Sequence, residues 1–373
     1  MVLFLHNRYR TTGGEERVVD ELLALVRERL GEPAELLWRD SARLGPVRAA
    51  AGLLRGGLAA GDVAKAVRIS GARVVHAHNL HPLFGWRALA AAREQGARTV
   101  VHLHQYRLVC ATGVCFTDGR ECTRCHGRNT LPGVIHNCRG SRSEALAYGA
   151  ALALWQRRLV EQADAVIVPS LFARERLREL GAPLDFERVR VLAPPVRIGE
   201  DADGGTTTRD YALVVSRLAP EKGVDVAIDA CRAAGVPLVI AGDGPELDAL
   251  RARAAGGDVR FAGRVGDAEL DRLRAGAALA IAPSRSAETF GMAVAEAMAA
   301  GVPVVASRVG ALPELVEHGG LVEPGDSVAL ARAIERLWAD TVVGARGRLR
   351  VCELCSPEVV AAGLAQAYAT AVR

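Results

Sequence analysis

Short runs of Val, Leu, Ile and Ala recur along the chain, separated by stretches in which apolar residues return every three or four positions. The first half carries LFLH, ELLW, RVVHA, TVVHL, AVIVPS and VRVLA, and the second YALVVS, PLVIAG, VRFAG, LAIAPS and PVVAS. Strands that are apolar throughout are buried on both faces, and their alternation with helical patterns predicts parallel sheets wrapped by helices. Between the two series lies Ile198 to Asp210 (IGEDADGGTTTRD), which has no apolar periodicity and is rich in Gly, Asp and Thr, so it reads as a linker. The expected organisation is a doubly wound domain over 1–197, a linker over 198–210, a second doubly wound domain over 211–352 and a final helical segment, 353–373, able to pack back on the first domain. In open α/β sheets ligands sit beyond the carboxyl ends of the strands, so the chemistry is sought just after each run.

A length of 373 residues fits two such domains, and 50% apolar with 24% charged residues is a globular balance. The net charge of +4 is small and both signs alternate, which argues against a nucleic-acid partner. The opening MVLFLH is too short for the apolar core of a signal peptide and reads as a first strand. The longest apolar stretch, Ala145 to Trp155, falls short of the roughly 20 residues that cross a bilayer. A cytoplasmic protein is expected. Between Ala42 and Ile69, Arg43, Arg48, Arg55, Lys65 and Arg68 face a single acid, Asp62, among Leu and Ala. That pattern suits an anionic membrane surface or a lipid-linked acceptor, and equally a solvated helix pair around Gly56-Gly57.

Arginine is used almost throughout, and Lys65 and Lys222 are the two lysines. Lys222 stands in Ser216-Arg217-Leu-Ala-Pro-Glu-Lys222-Gly223, just after the run YALVVS. Two cations at a strand end and helix start suit a diphosphate, Arg as a planar fork and Lys as a point charge. After LAIAPS comes Ser284-Arg-Ser-Ala-Glu288-Thr-Phe290-Gly291-Met292, then a helical pattern holding Glu296. A glycine before a fresh helix N-terminus offers amides and a positive dipole end to phosphate. Glu288 in the loop and Glu296 on the helix can accept sugar and ribose hydroxyls, although a capping Glu and a solvated helix Glu explain them as well. Gly242-Asp-Gly244-Pro reads as a turn, while Gly263 to Val265 suits backbone contact with a nucleobase.

In the first half, Gly13 and Gly14 follow the first strand in TGGEE, and a small residue there admits a phosphate. His76, His78, His81, His102 and His104 cluster at the ends of two runs. His102 and His104 share one face of a strand. Five of the eight cysteines fall between Cys110 and Cys138, within an insert spanning about 105–140. Cys122-x-x-Cys125 is a half-site that Cys110 and Cys138 complete as a tetrahedral structural zinc site, with Cys115, His126 or His136 as substitutes. Reduced thiols without metal are the alternative.

In order and spacing, SRLAPEKG, AGDGPE, FAGRV, APSRSAETFGMAVAEAMAAGVPVVAS and GALPELVEHGGLVEPGD resemble the retaining glycosyltransferases of family four, which have the GT-B fold of two Rossmann-like domains around a cleft. The resemblance implies a transferase that moves a sugar from a nucleoside diphosphate sugar, its co-substrate, to a glycan, lipid-linked or small-molecule acceptor, with no metal needed for transfer. By the same resemblance Arg217 and Lys222 hold the donor diphosphate, Glu296 the ribose and Glu288 the hexose. Phe290, Gly291 and Met292 line the donor site by their backbone, and His104 faces the reacting sugar, with His102 as substitute. No carboxylate is evident as a nucleophile behind the anomeric carbon, so front-side attack is expected. A sugar-nucleotide epimerase, a catalytically silent scaffold and a zinc-loop binding module are the competing readings.

Overall fold

The computed structural model describes residues 1–8, 14–199, 209–316 and 320–372. Gly13 and most of the expected linker lie outside the described residues. The chain divides into two compact units, one of residues 1–117, 122–195 and 357 onward, the other of 118–121 and 196–356.

The first half of the chain contains β1 (Val2–Arg8), β2 (Ala34–Asp40), β3 (Val74–Ala77), β4 (Arg98–His102), the short pair β5 (Phe116–Thr117) and β6 (Arg120–Glu121), then β7 (Ala165–Val168) and β8 (Val189–Val191). Six of them form one sheet in the order β2-β1-β3-β4-β7-β8. Every neighbour is parallel, with Val2 opposite both Ala34 and Val74. β3 and β7 are buried at every residue, as strands covered by helices on both faces must be. The covering helices start where the sequence supplies a cap. Ser141 and Ser170 accept amide hydrogens from Glu144 and Ala173 at the starts of Arg142–Glu161 and Leu171–Glu179.

The final helix, Pro357–Val372, belongs to the first unit. It is separate from the helix before it, since Thr341–Cys355 is continuous helix and Pro357 opens the next one. The final helix is fastened to the first unit by a hydrogen bond between Tyr368 Oη and His76 Nδ1 at 2.9 Å and by an Arg29–Glu358 ion pair. A Cβ on Gly363 would stand 2.4 Å from Leu192 Cδ1, so glycine permits this close approach.

The second unit contains β9 (Tyr211–Val215), β10 (Leu238–Ala241), β11 (Val259–Gly263), β12 (Ala277–Ala282), β13 (Val304–Ser307) and β14 (Leu321–Val322). They pair in the order β11-β10-β9-β12-β13-β14, again all parallel. Its core joins Val214, Ile240 and Ile281 of the sheet to Ile228 and Ile334 of two covering helices. Both units are therefore doubly wound Rossmann-like sheets, and each has one point where strand order reverses: between β1 and β3, and between β9 and β12. Ligands of such sheets sit at that switch point, outside the carboxyl ends.

Candidate functional site

The switch point of the second unit gathers most of the donor-site residues expected from the sequence. The loop after β9 is fastened to the loop after β12 by backbone hydrogen bonds from Arg285 and Ser286 to the Glu221 carbonyl, at 2.8 and 3.3 Å. Gly223 (φ 62°) makes that packing possible, since a Cβ there would stand 2.1 Å from the Pro283 carbonyl oxygen. Lys222 is thereby aimed across the switch point, and its Nζ donates to Glu288 Oε1 at 2.5 Å. Ser284 Oγ donates to the same oxygen at 2.6 Å. Burial pushes the Glu288 carboxyl up, but the Lys222 charge and the hydrogen bonds from Lys222 and Ser284 outweigh it, and the group sits below the usual carboxylate range. Glu288 is itself fixed from behind: Ala311 N donates to its carbonyl at 2.9 Å, and Gly310 lies so close that a Cβ would meet Glu288 N at 2.3 Å.

Arg217, half exposed, pairs with the buried Glu221. Each of the two expected diphosphate cations thus holds a carboxylate, leaving them poised beside phosphate chemistry while satisfied within the unit. Gly291 (φ 109°) precedes the helix Met292–Ala299, whose first-turn amides have no partner within the helix. Phe290 is buried, Met292 half-buried. Glu296, one turn in, is held by Arg274, and the two side chains are 11% and 5% exposed. The sequence reading missed Arg274, Glu221 and Ser284. The Arg274 guanidinium decides where the Glu296 carboxylate points, yet one arginine among so many carries no contrast in the sequence. Gly263 (φ 69°) ends β11 with open space around its Cβ position, and Val265 is half-buried. Gly242 and Gly244 do more than turn the chain, because a Cβ on either would strike the carbonyl oxygens of Ser216 or Leu218 at 1.8 or 2.2 Å.

In the first unit, four of the five expected histidines come together, and His6 of β1, which the sequence reading passed over, joins them. His76 and His78 alternate onto one face of the sheet with His102 of the neighbouring strand, and the rings of His102 and His104 stack at 4.4 Å. His78 Nδ1 and His104 Nε2 share a hydrogen bond at 2.8 Å. Burial is the main cause lowering the pKa of His76 (to about 3), His78, His102 and His104; at His104 the carboxylates Glu15 and Glu16 oppose it. The imidazoles are therefore neutral near pH 7. His6 lies 3.8 Å from both Glu15 and Glu16, at the start of the helix Gly14–Glu28 that Gly14 opens. His81 stands apart, packed edge-on against Tyr148. Among the described residues, His76, His78 and His102 form the trio whose ligating atoms all lie within 4.8 Å of one another.

The cysteine insert gathers its expected cysteines around one pocket. Cys110, Cys115, Cys122, Cys125 and Cys138 line one pocket together with His136, but no three of their sulfurs close to within 4.8 Å. His126 turns away from it and lies against Gly181.

Against this geometry, comparison with known proteins is decisive for the family. The glycosyl transferase 4-like domain matches residues 9–195, half of the chain by itself, and glycosyl transferases group 1 match residues 209–340. The chain belongs to this glycosyltransferase family. A Mycobacterium tuberculosis GDP-mannose-dependent alpha-(1-6)-phosphatidylinositol monomannoside mannosyltransferase is 33% identical over 248 residues, 56% of this chain and 62% of that enzyme. A glycogen synthase of the same organism is 32% identical over 58% of this chain and 56% of its own length. The chain thus matches about three fifths of the length of these relatives. Among solved structures, a Rickettsia africae glycosyltransferase superposes with a TM-score of 0.71 at 15% identity, covering 100% of this chain and 98% of that one. The Anabaena protein HepE in complex with UDP superposes with a TM-score of 0.64 at 20% identity, over 99% and 100% of the two chains. The glycosyltransferase GT-B fold is therefore the fold of this chain.

Proposed function

We propose that this glycosyltransferase moves a hexose, with retention, from a nucleoside diphosphate sugar to a glycan or lipid-linked acceptor. The observation that carries the reading is the Lys222–Glu288–Ser284 cluster at the switch point of the second unit, beside the glycine-led helix that bears Glu296. A donor diphosphate takes Arg217 and Lys222 from their carboxylates. Glu288, so released, receives the hexose hydroxyls, and Glu296 on its Arg274 anchor receives the ribose. Backbone at Phe290, Gly291 and Met292 supplies amide hydrogens to phosphate, and Gly263 and Val265 flank the base. His104, neutral and oriented by His78, faces the reacting sugar. The leaving diphosphate, held by two cations, assists proton removal from the acceptor in a front-side attack. Transfer itself needs no divalent metal, and electrostatic hold on the leaving group lowers the barrier.

The relatives named for GDP-mannose favour GDP as donor nucleotide, whereas the HepE complexes hold UDP. The acceptor reading draws on the mannosyltransferase name and on a basic surface, where Val47, Leu54 and Leu58 are exposed beside Arg43, Arg48 and Arg55. That surface fits peripheral attachment to an anionic bilayer, and no described helix is long and apolar enough to cross one. Calorimetry with GDP, UDP and ADP tests the donor site. One nucleotide binds the wild type, and Lys222→Ala and Glu296→Ala each weaken it about 10- to 100-fold, as loss of a charged hydrogen bond worth ~1.5–3 kcal/mol requires. No binding to the wild type by any of the three overturns the reading in favour of a catalytically silent scaffold.

A further inference from the structure

Between residues 112 and 138 the buried positions are Gly113, Cys115, Thr130 and Gly133, with no aliphatic or aromatic side chain among them. Leu131 and Ile135 are 59% and 66% exposed. A segment of this length with no apolar core needs another source of order. Its regular structure is confined to the β5–β6 pair and the five-residue helix Leu131–Ile135.

What fills the centre is sulfur. The β5–β6 hairpin is closed by Cys122 N donating to the Cys115 carbonyl at 2.7 Å. The short helix is closed by Cys138 N donating to the Gly133 carbonyl at 3.1 Å, and Gly133 carries Cys125 against it, 3.6 Å from the place of a Cβ. Cys138 Sγ reaches Thr117 Oγ1 of the hairpin at 3.7 Å, which ties the two halves of the insert together. Cys110 comes in from the end of the loop that follows β4 and lines the same pocket as the buried Cys115. Arg124 reaches Cys122 Sγ at 3.9 Å. Such a group of thiols lining one pocket is a soft donor set.

We propose that Cys110, Cys122, Cys125 and Cys138 bind one structural zinc ion that orders the insert. Four thiolates bring the charge that a buried dication requires, whereas the His76, His78 and His102 trio offers no anionic ligand. Zn–S bonds of ~2.3 Å place tetrahedral sulfurs about 3.8 Å apart. The sulfurs here stand wider than that, but a single rotamer step moves a cysteine sulfur by roughly 3 Å, so the pocket closes on the ion without unfolding its backbone. The exposed Arg124 then acts on the Cys122 sulfur from outside the coordination shell.

The test uses the full chain purified under reducing conditions without chelator. Elemental analysis finds one zinc per chain, and in thiol titration of the native protein four further cysteines become reactive when a chelator is added. Cobalt substitution gives thiolate-to-metal charge-transfer absorption. Replacement of Cys110, Cys122, Cys125 or Cys138 by Ser lowers zinc content at least tenfold and opens residues 112–138 to limited proteolysis, while Cys115→Ala keeps the metal. Should the serine variants fail to fold, the wild-type cobalt spectrum and thiol protection decide alone. A metal-free wild type whose thiol reactivity does not change on adding chelator and that gives no cobalt band overturns the proposal, as does full zinc retention in Cys122→Ser or Cys125→Ser. Nucleotide binding by the wild type, read separately, leaves this result independent of the donor site.

Discussion

At the scale of single residues, the second unit holds the Glu296 carboxylate by a buried cation rather than by solvent. Arg274 is 5% exposed and Glu296 11% exposed, so each compensates a charge that water no longer reaches. Removing one member of such a pair strands the other, at about 3–5 kcal/mol. Arg274→Ala is therefore expected to destabilise the second unit on that scale in urea unfolding, and the double variant Arg274→Ala, Glu296→Gln to recover part of it. A cost under ~1 kcal/mol for Arg274→Ala would place Glu296 in effective contact with water and remove the reason for its fixed orientation. Glu288 differs in kind, since its partners Lys222 and Ser284 are the groups a ligand would recruit. Glu288→Gln keeps the size and one acceptor oxygen and loses the charge, so nucleotide binding changes less than threefold while transfer falls at least a hundredfold, a contrast that separate calorimetry and turnover assays read directly.

At the scale of elements, the loops after β9 and β12 work as one body because glycines let their backbones touch. Gly223 combines a left-handed φ of 62° with a Cβ position 2.1 Å from the Pro283 oxygen. Gly223→Ala meets both penalties, each of order 1 kcal/mol or more, and the strain is relieved only by moving Lys222 away from Glu288. The expected outcome is a lowered melting temperature together with weaker nucleotide binding; unchanged binding in a destabilised variant would show that the two loops act independently. The strands were legible because β7 and β10 are continuous apolar runs and β3 and β13 each carry a single polar residue, all four buried at every position. Lys222 was legible because a lysine in an arginine-rich chain stands out. Arg274 had no such contrast, and His6 was hidden in a run that its own burial makes look like ordinary strand. The cysteine insert was legible as a cluster but not as a geometry, because its shape depends on positive-φ positions at Cys115, Asp118 and Asn137 that residue type does not announce.

At the scale of the whole molecule, the buried histidines make stability depend on mild acid. His76 and His81 are neutral in the folded chain, with pKa values lowered to about 3 and about 4, chiefly by burial and secondarily by competition with His104 at His76 and by the Arg107 and Arg139 charges at His81. The unfolded chain protonates histidine near ~6.5, so below that pH it binds protons that the folded chain refuses, and stability falls as pH falls. The contribution is fully present above about pH 6.5 and is lost progressively on the way down to the folded values. At pH 5 each of these two residues costs up to ~2 kcal/mol, and His78 and His102, lowered in the same direction, add to it. Between pH 6.5 and 5 few exposed carboxylates titrate, so the window isolates the histidines. Calorimetric scans at pH 7.5 and 5 are expected to show the transition of the first unit falling by several degrees, more than that of the second unit, where the described residues hold no buried histidine. Replacing His81 by Asn removes one titrating group and should flatten the first unit's pH dependence, whatever it does to stability at pH 7.5. If both units soften equally, or neither does, the histidines beneath the first sheet take up protons without unfolding it, and the neutral His104–His78 pair invoked for the reacting sugar loses its physical basis.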